Sequence, residues 1–279
     1  MLKKRWVIRV FLLLGIVACL PLAFLAGCQS SLIYFPRPYA ELTVAKWQSN
    51  TSGKFVDVKT SQGQQRAFLQ GNLKNPQHLW VVCGGNGTVA LDWSDWMAQN
   101  GPARDAYLLV DLPGYGQSHG KATPGRIRET FRKAVPAAMQ ELGWSTDKDT
   151  SRLRFFGHSL GSAACLMAAT DFHIQRGVLL APFSSTMAMA RRITGMPVGF
   201  LVWHRMDNDA RLADLEKQGA RKVLIFHGTA DEVIPVEMSR EMAARHPHLV
   251  KFIEVPGGRH NTIQETEAAA LSQAMREVD

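Results

Sequence analysis

The sequence predicts an α/β domain built on a mostly parallel β-sheet flanked by helices, and three observations carry that prediction. From residue 79 onward, short continuous apolar runs at 79–83, 106–111, 153–156, 177–181, 223–226 and 251–255 alternate with helical candidates at 91–99, 125–142, 162–172, 209–218, 236–245 and 264–277. Strands buried on both faces read as unbroken apolar runs, and strand–helix alternation is the pattern of a parallel sheet. Several of the runs end in glycine-bearing loops, which is where such sheets collect their chemistry. One run, Leu153 to Phe156, leads into Gly157-His158-Ser159-Leu160-Gly161 and then an Ala-rich stretch from Ser162, which reads as strand, tight turn and helix.

Taken in order, residues 1–27 stand apart from this domain. Lys3, Lys4, Arg5 and Arg9 form a basic start, and 10–27 is uncharged and largely apolar, the layout of an export signal. It closes on Leu25-Ala26-Gly27-Cys28, which resembles the lipobox of bacterial lipoproteins. That resemblance implies cleavage before Cys28 and acylation of its thiol. Ile16-Val17-Ala18-Cys19 fits more loosely and would leave an apolar segment on the mature chain. The alternative is an uncleaved anchor helix, for which 18 residues just suffice. Either way the basic end stays in the cytoplasm and the domain lies outside it. The expected location is the periplasmic side of a bacterial envelope membrane, and Gln29 after the cysteine resembles sorting to the outer membrane.

Setting aside those four of 32 basic residues leaves 28 against 24 acidic ones, an excess of about +4. Such a mild surplus suits an anionic membrane surface. No nucleic-acid motif or dense basic helix is present. Cys83 and Cys165 lie in apolar surroundings and are expected as buried free thiols, and no C-x-x-C or His/Asp cluster suggests a metal. No cofactor is expected.

Residues 28–50 are expected as an N-terminal tether, with Tyr34 and Phe35 laid on the domain in preference to the lipid surface. The domain proper is expected over 51–279, opening with a hairpin of 54–60 and 65–69 around Ser61-Gln62-Gly63. Residues 184–208, with Met187, Met189, Met196, Phe200, Leu201 and Trp203, form a short cap segment that suits either an adaptable acyl pocket or a surface touching lipid. A small helical cap packing its own core is the plainer reading. Arg191, Arg192 and Arg205 could meet an anionic headgroup, although solvation is the usual fate of such charges.

The G-x-S-x-G turn needs its serine at a strained φ/ψ with Oγ exposed, and needs strand and helix close enough that Gly157 and Gly161 must lack side chains. The following helix N-terminus then faces the serine, and Leu160 N–H lies where an oxyanion would form. After 79–83 comes Gly84-Gly85-Asn86-Gly87-Thr88, whose Asn86 N–H, with Gly85 or Gly87 as neighbours, is the expected second oxyanion donor.

A serine hydroxyl needs an imidazole to take its proton, and the imidazole needs a carboxylate to hold its tautomer. Asp231 and His260 follow the strand runs at 223–226 and 251–255 through short glycine-containing loops. The chain order Ser159, Asp231, His260 is the one expected of this architecture. Glu232 is the close rival for the acid. Asp111, in a Pro-Gly turn, is expected to hold its loop, and His227 to give a supporting hydrogen bond. His173, His204, His246 and His248 are expected in surface roles, and His158 to point away from the line Oγ needs.

The segments GHSLG, HGTADEVIP and GGRHN, with GGNG and DLPGYGQS upstream, resemble the α/β-hydrolase superfamily over roughly residues 50–279. SLIYFPRP, the short 184–208 segment and RMDNDARL resemble its Bem46-like and ABHD13/ABHD17-like serine hydrolases. The resemblance implies an α/β-hydrolase fold with an eight-stranded sheet containing one antiparallel strand. It also implies hydrolysis of an acyl ester or thioester through Ser159, Asp231 and His260. Relatives carry His-Gly before the oxyanion-loop Asn where this chain has Gly84-Gly85. The alternative is a catalytically idle, membrane-tethered binding or scaffold protein of the same fold.

Overall fold

The structure is a computed structural model that describes residue 27 and residues 29–278. The expected signal sequence and the acylated Cys28 therefore lie outside the described residues. Among the described residues, no helix is long and apolar enough to cross a membrane.

Eight strands form one sheet in the order β1-β2-β4-β3-β5-β6-β7-β8: β1 (Lys54–Thr60), β2 (Gly63–Gly71), β3 (Leu79–Cys83), β4 (Ala106–Val110), β5 (Leu153–His158), β6 (Arg176–Leu180), β7 (Lys222–Gly228) and β8 (Val250–Val255). β2 runs against both its neighbours, β1 and β4, while β4, β3, β5, β6, β7 and β8 pair in parallel. This is the α/β-hydrolase fold, with β2 as the one antiparallel strand. All five residues of β3 and β4 and all six of β5 are buried, which is why these strands read as unbroken apolar runs.

Side chains of alternate parity feed two cores, as strand geometry requires. Val81, Leu108, Phe155, Leu179 and Ile225 point to one face. There they meet α3 (Pro124–Glu141), α4 (Leu160–Phe172), α6 (Asn208–Lys217) and α7 (Glu237–Arg245) through Phe131, Leu166, Leu212 and Met242. Trp80, Val82, Leu109, Phe156, Leu180 and Phe226 point to the other face and meet α2 (Ser94–Asn100) and α9 (Ala268–Glu277) through Met97, Leu271 and Met275. Helix α3 begins where the Thr123 hydroxyl accepts the Arg126 N–H at 3.3 Å, with Pro124 in its first turn, a start favoured because proline has no N–H to leave unpaired. A one-turn α8 (Ile263–Thr266) precedes α9 where the sequence predicts one helix.

One region departs from expectation. Residues 29–50 do not behave as a tether, and the expected boundary at 51 does not coincide with a break in packing. Helix α1 (Thr43–Asn50), unexpected from the sequence, buries Trp47 against Phe55 and Phe68 with ring centroids 5.5 and 5.0 Å apart. The Trp47 indole N–H also donates to Gln70 at 2.8 Å. Tyr34 is buried, but Phe35 beside it is exposed. The cap forms α5 (Thr186–Thr194) and a 3₁₀ turn, Val198–Leu201. Its ends are pinned into a neck: Thr186 N–H donates to Met206 O and Asn208 N–H to Ser184 O, both at 2.9 Å.

Candidate active site

The elbow is built by close approach. A Cβ on Gly161 would lie 2.0 Å from the Cys83 carbonyl oxygen, so only glycine lets α4 press against the end of β3. Ser159 is left at φ 52, ψ −118, a conformation that costs a non-glycine residue on the order of 1–3 kcal/mol and persists only where the surroundings impose it. Here its N–H is held by the Leu180 carbonyl at 2.9 Å, and Ser162 N–H returns to the Ser159 carbonyl at 3.0 Å.

The loops after β7 and β8 are laced together before they deliver their side chains. A Cβ on Gly228 would lie 2.0 Å from the Gly258 carbonyl oxygen. Ala230 N–H donates to that same oxygen at 3.0 Å and Gly257 N–H to Thr229 Oγ1 at 2.8 Å. Their partners Asp231 and His260 thus arrive at fixed separation. Ser159 Oγ donates to His260 Nε2 at 3.0 Å, and His260 Nδ1–H donates to Asp231 Oδ2 at 2.7 Å. The tautomer follows from these partners. The structure brings together the three residues expected as nucleophile, base and acid, more than a hundred positions apart at the extreme.

Asp231 is held by four donors. Val233 and Ile234 N–H groups bond Oδ1 at 2.8 and 2.7 Å, while Oδ2 takes His260 and faces His227 Nε2 at 3.2 Å. Burial alone would raise this carboxyl, but the hydrogen bonds from His227, His260 and Ile234 N–H outweigh it and hold it far below the usual carboxylate range. The single His227 Nε2–H is shared between Asp231 Oδ2 and the Ile234 carbonyl at 2.9 Å, and Nδ1 accepts from Ser239 Oγ at 2.7 Å, so the expected supporting role extends to the acid itself. Glu232 is exposed, near Arg259, and only its carboxylate meets His260, accepting the backbone N–H at 3.4 Å. It does not reach the imidazole.

The oxyanion side has two candidate donors. Leu160 N–H opens α4, and Asn86 N–H lies on the loop after β3; among the described residues neither meets a backbone acceptor. The loop crosses directly over the elbow, since a Cβ on Gly85 would come within 3.4 Å of Ser159 Cβ and 2.9 Å of His158 Nδ1. Gly84 has a steric reason as well: a Cβ there would meet Thr88 Oγ1 at 2.3 Å and the Trp93 indole nitrogen at 2.5 Å. Trp93 and Thr88 fill the space that a histidine side chain would need.

Sequence reasoning missed two contributions. His158 is fully packed between the Trp93 and His260 rings, and its Nε2–H donates to the His260 carbonyl at 3.1 Å. Burial first, and the neighbouring His260 second, push it down to about 4, so it stays neutral. The side chain of Asn86 fastens the loop to the N-terminal segment: Oδ1 accepts Phe35 N–H at 2.9 Å and Tyr115 O–H at 2.6 Å, and Nδ2 donates to Ile33 O at 2.7 Å. No local pattern signals either contact, because both partners lie across the fold. Asp111 holds its loop as expected, accepting Ala90 N–H at 2.8 Å and Tyr39 O–H at 2.9 Å. Burial pushes its carboxyl up to about 7 against those bonds. His246 corrects an expectation: it is buried, not superficial, and bonds Glu216 at 2.9 Å and Asp209 at 3.2 Å. Cys83 and Cys165 are buried free thiols.

The chain is similar to known proteins. The profile of the Alpha/beta hydrolase family matches residues 80–218. An uncharacterized protein of Mycobacterium tuberculosis is 26% identical over 284 residues, covering 99% of this chain and 95% of that protein. Human alpha/beta hydrolase domain-containing protein 17C is 26% identical over 154 residues, 55% of this chain and 44% of its own length. Among solved structures, an esterase of Pyrococcus furiosus superposes with a TM-score of 0.64 over 88% of this chain and 98% of that one, at 15% identity, a likeness of fold.

Proposed function

The chain belongs to the α/β-hydrolase superfamily, and from that premise we propose that it is a serine hydrolase cleaving a carboxylic ester or thioester through an acyl-enzyme. The observation that carries this reading is the continuous path from Ser159 Oγ through His260 to Asp231, with links of 3.0 and 2.7 Å.

In this reading His260 Nε2 takes the Ser159 proton as Oγ attacks the substrate carbonyl carbon. The carbonyl oxygen gains the displaced electron pair and is held by the N–H groups of Leu160 and Asn86, each contributing about 10²–10³ in turnover. Collapse of the tetrahedral adduct breaks the bond to the alcohol or thiol, which leaves with the proton from His260. Water, deprotonated by the same imidazole, then releases the acid and regenerates Ser159. Asp231, ionised and saturated with donors, stabilises the imidazolium without taking its proton. His158 acts at one remove, fixing the backbone that carries His260.

The proposal extends to location. Residues 1–27 export the chain and acylated Cys28 holds it on the periplasmic face of a bacterial envelope membrane, the outer membrane being the destination that Gln29 suggests. Support comes from the basic start, the uncharged run and the small residues before Cys28. Two assays test the proposal. A fluorophosphonate probe should label the wild-type protein and not Ser159→Ala; equal labelling of the two rejects the nucleophile. Metabolic labelling with an alkyne fatty acid should mark the wild type and not Cys28→Ala; labelling of both rejects the anchor.

A further inference from the structure

Large apolar side chains left in solvent gather on two segments that touch. In the cap, Ile193 is 76% exposed, Trp203 70% and Phe200 65%; in the N-terminal segment, Phe35 is 59% and Leu32 58% exposed. Gln29 stitches the segments together: its Nε2 donates to Leu201 O at 2.5 Å, and its Oε1 accepts Trp203 N–H at 2.7 Å and His204 N–H at 3.3 Å. The Tyr34 and His204 rings lie 5.6 Å apart.

Both segments are rooted beside Ser159. The cap leaves the sheet at the end of β6, which pairs with β5, the strand of the serine, and with β7, the strand of Asp231. The N-terminal segment is clamped to the oxyanion loop by Asn86, and Arg37 Nε donates to Gly87 O at 2.8 Å. The cap itself carries charge of one sign. No Asp or Glu occurs from 172 to 206, while Arg191, Arg192 and Arg205 do.

We propose that this face docks on an anionic lipid bilayer and turns the carboxyl edge of the sheet toward it. The occupant is chosen by chain continuity: the uncharged run 10–27 ends two residues before Gln29. Consecutive residues span at most about 3.6 Å, so whatever enters the membrane, an acylated Cys28 or the run itself, starts within about 10 Å of the cap. Exposed aromatic and aliphatic groups beside arginines match the boundary between acyl chains and acidic headgroups. The consequence for substrate rests on the serine-hydrolase reading: a long-chain acyl ester or thioester embedded in the bilayer reaches Ser159 across this face without crossing water.

The docking test uses the full-length chain carrying Ser159→Ala, so that its outcome is independent of hydrolysis. The protein is reconstituted in phosphatidylcholine vesicles containing about 30% phosphatidylglycerol, with plain or brominated acyl chains. The emission of Trp203 is taken as the difference from the same protein with Trp203→Phe. Brominated chains should quench that difference at least twofold, and Arg191→Gln with Arg192→Gln should lessen the quenching. Equal Trp203 emission in both vesicles overturns the proposal, whether the face is then covered by residues 10–27, by a second copy or by water. In the otherwise wild-type chain, Ile193→Ser with Phe200→Ser should keep hydrolysis of soluble p-nitrophenyl acetate while losing at least tenfold against a palmitoyl ester in the vesicle. Equal loss on both substrates contradicts delivery across this face, and loss of acetate hydrolysis in the unmodified chain contradicts the hydrolase reading alone.

Discussion

Two stretches meet along the carboxyl edge of the sheet and are built on opposite terms. Around Ser159 and the loops after β7 and β8, polar groups are sunk in the protein and partnered: the Asp231 carboxylate receives two backbone N–H groups and two imidazoles. The cap and the N-terminal segment, in contrast, turn Ile193, Phe200, Trp203 and Phe35 outward. Burying polar groups is tolerable only when each is hydrogen-bonded, and the side chains of the first stretch meet that condition, the Leu160 and Asn86 N–H groups being left open among the described residues. Leaving large apolar groups in water is unfavourable by about 25 cal/mol per Å², and the second stretch accepts that cost. The contrast separates a region whose polar side chains are held in place, which the proposed function uses for chemistry, from one whose apolar side chains are left open, which the proposed docking would cover.

Breaking the first stretch should have the largest effects. Ser159→Ala is expected to lower kcat for a short soluble ester by about 10⁶; a loss below tenfold would move the chemistry elsewhere. Asp231→Asn, which removes the charge and disturbs the tautomer of His260, should cost about 10⁴, whereas Glu232→Gln should stay within about threefold. That pair of kcat measurements discriminates the two neighbouring carboxylates directly.

The boundary between the stretches can be sharpened by stability. Trp47 is buried by rings from strands β1 and β2, so Trp47→Ala should destabilise the domain by about 3–5 kcal/mol in urea, as it would not if residues 29–50 were a free tether. His158 predicts a smaller, pH-dependent effect. Its folded value of about 4 lies below the ordinary 6.5. Between those values the unfolded chain therefore binds a proton here that the folded chain does not. Stability should fall as pH is lowered from about 6.5 toward 4, by up to the order of 3 kcal/mol from this residue. His158→Gln keeps an N–H for the His260 carbonyl and removes the titration, so its urea midpoint should decline less across that window than that of the wild type.

The two stretches also differed in how legible they were. Strands β1 and β3 match their sequence readings residue for residue, and the elbow and the Asp231 and His260 loops were readable because glycine spacing and apolar runs are local signals. The N-terminal segment was not. Helix α1 contributes one buried residue, Trp47, and its partners Phe55 and Phe68 come from the hairpin that follows, so no amphipathic stripe marks it. His246 looked superficial because its partners, Asp209 and Glu216, sit on α6, some thirty residues earlier. His158 lies on the same face of β5 as Phe156, away from the line Oγ needs as expected, but its partners Trp93 and His260 come from distant segments, so its packing role had no local signal.

The measurement that bears most directly on the account is the trapping of the covalent intermediate. The full-length protein would be mixed with p-nitrophenyl acetate, quenched in acid within the first turnover and digested for mass spectrometry. The account predicts one acetyl group on the peptide containing Ser159, absent from Ser159→Ala and longer-lived in His260→Ala at any fraction that acylates. Release of nitrophenol with no acetylated peptide, or an acetyl group on another side chain, would contradict it.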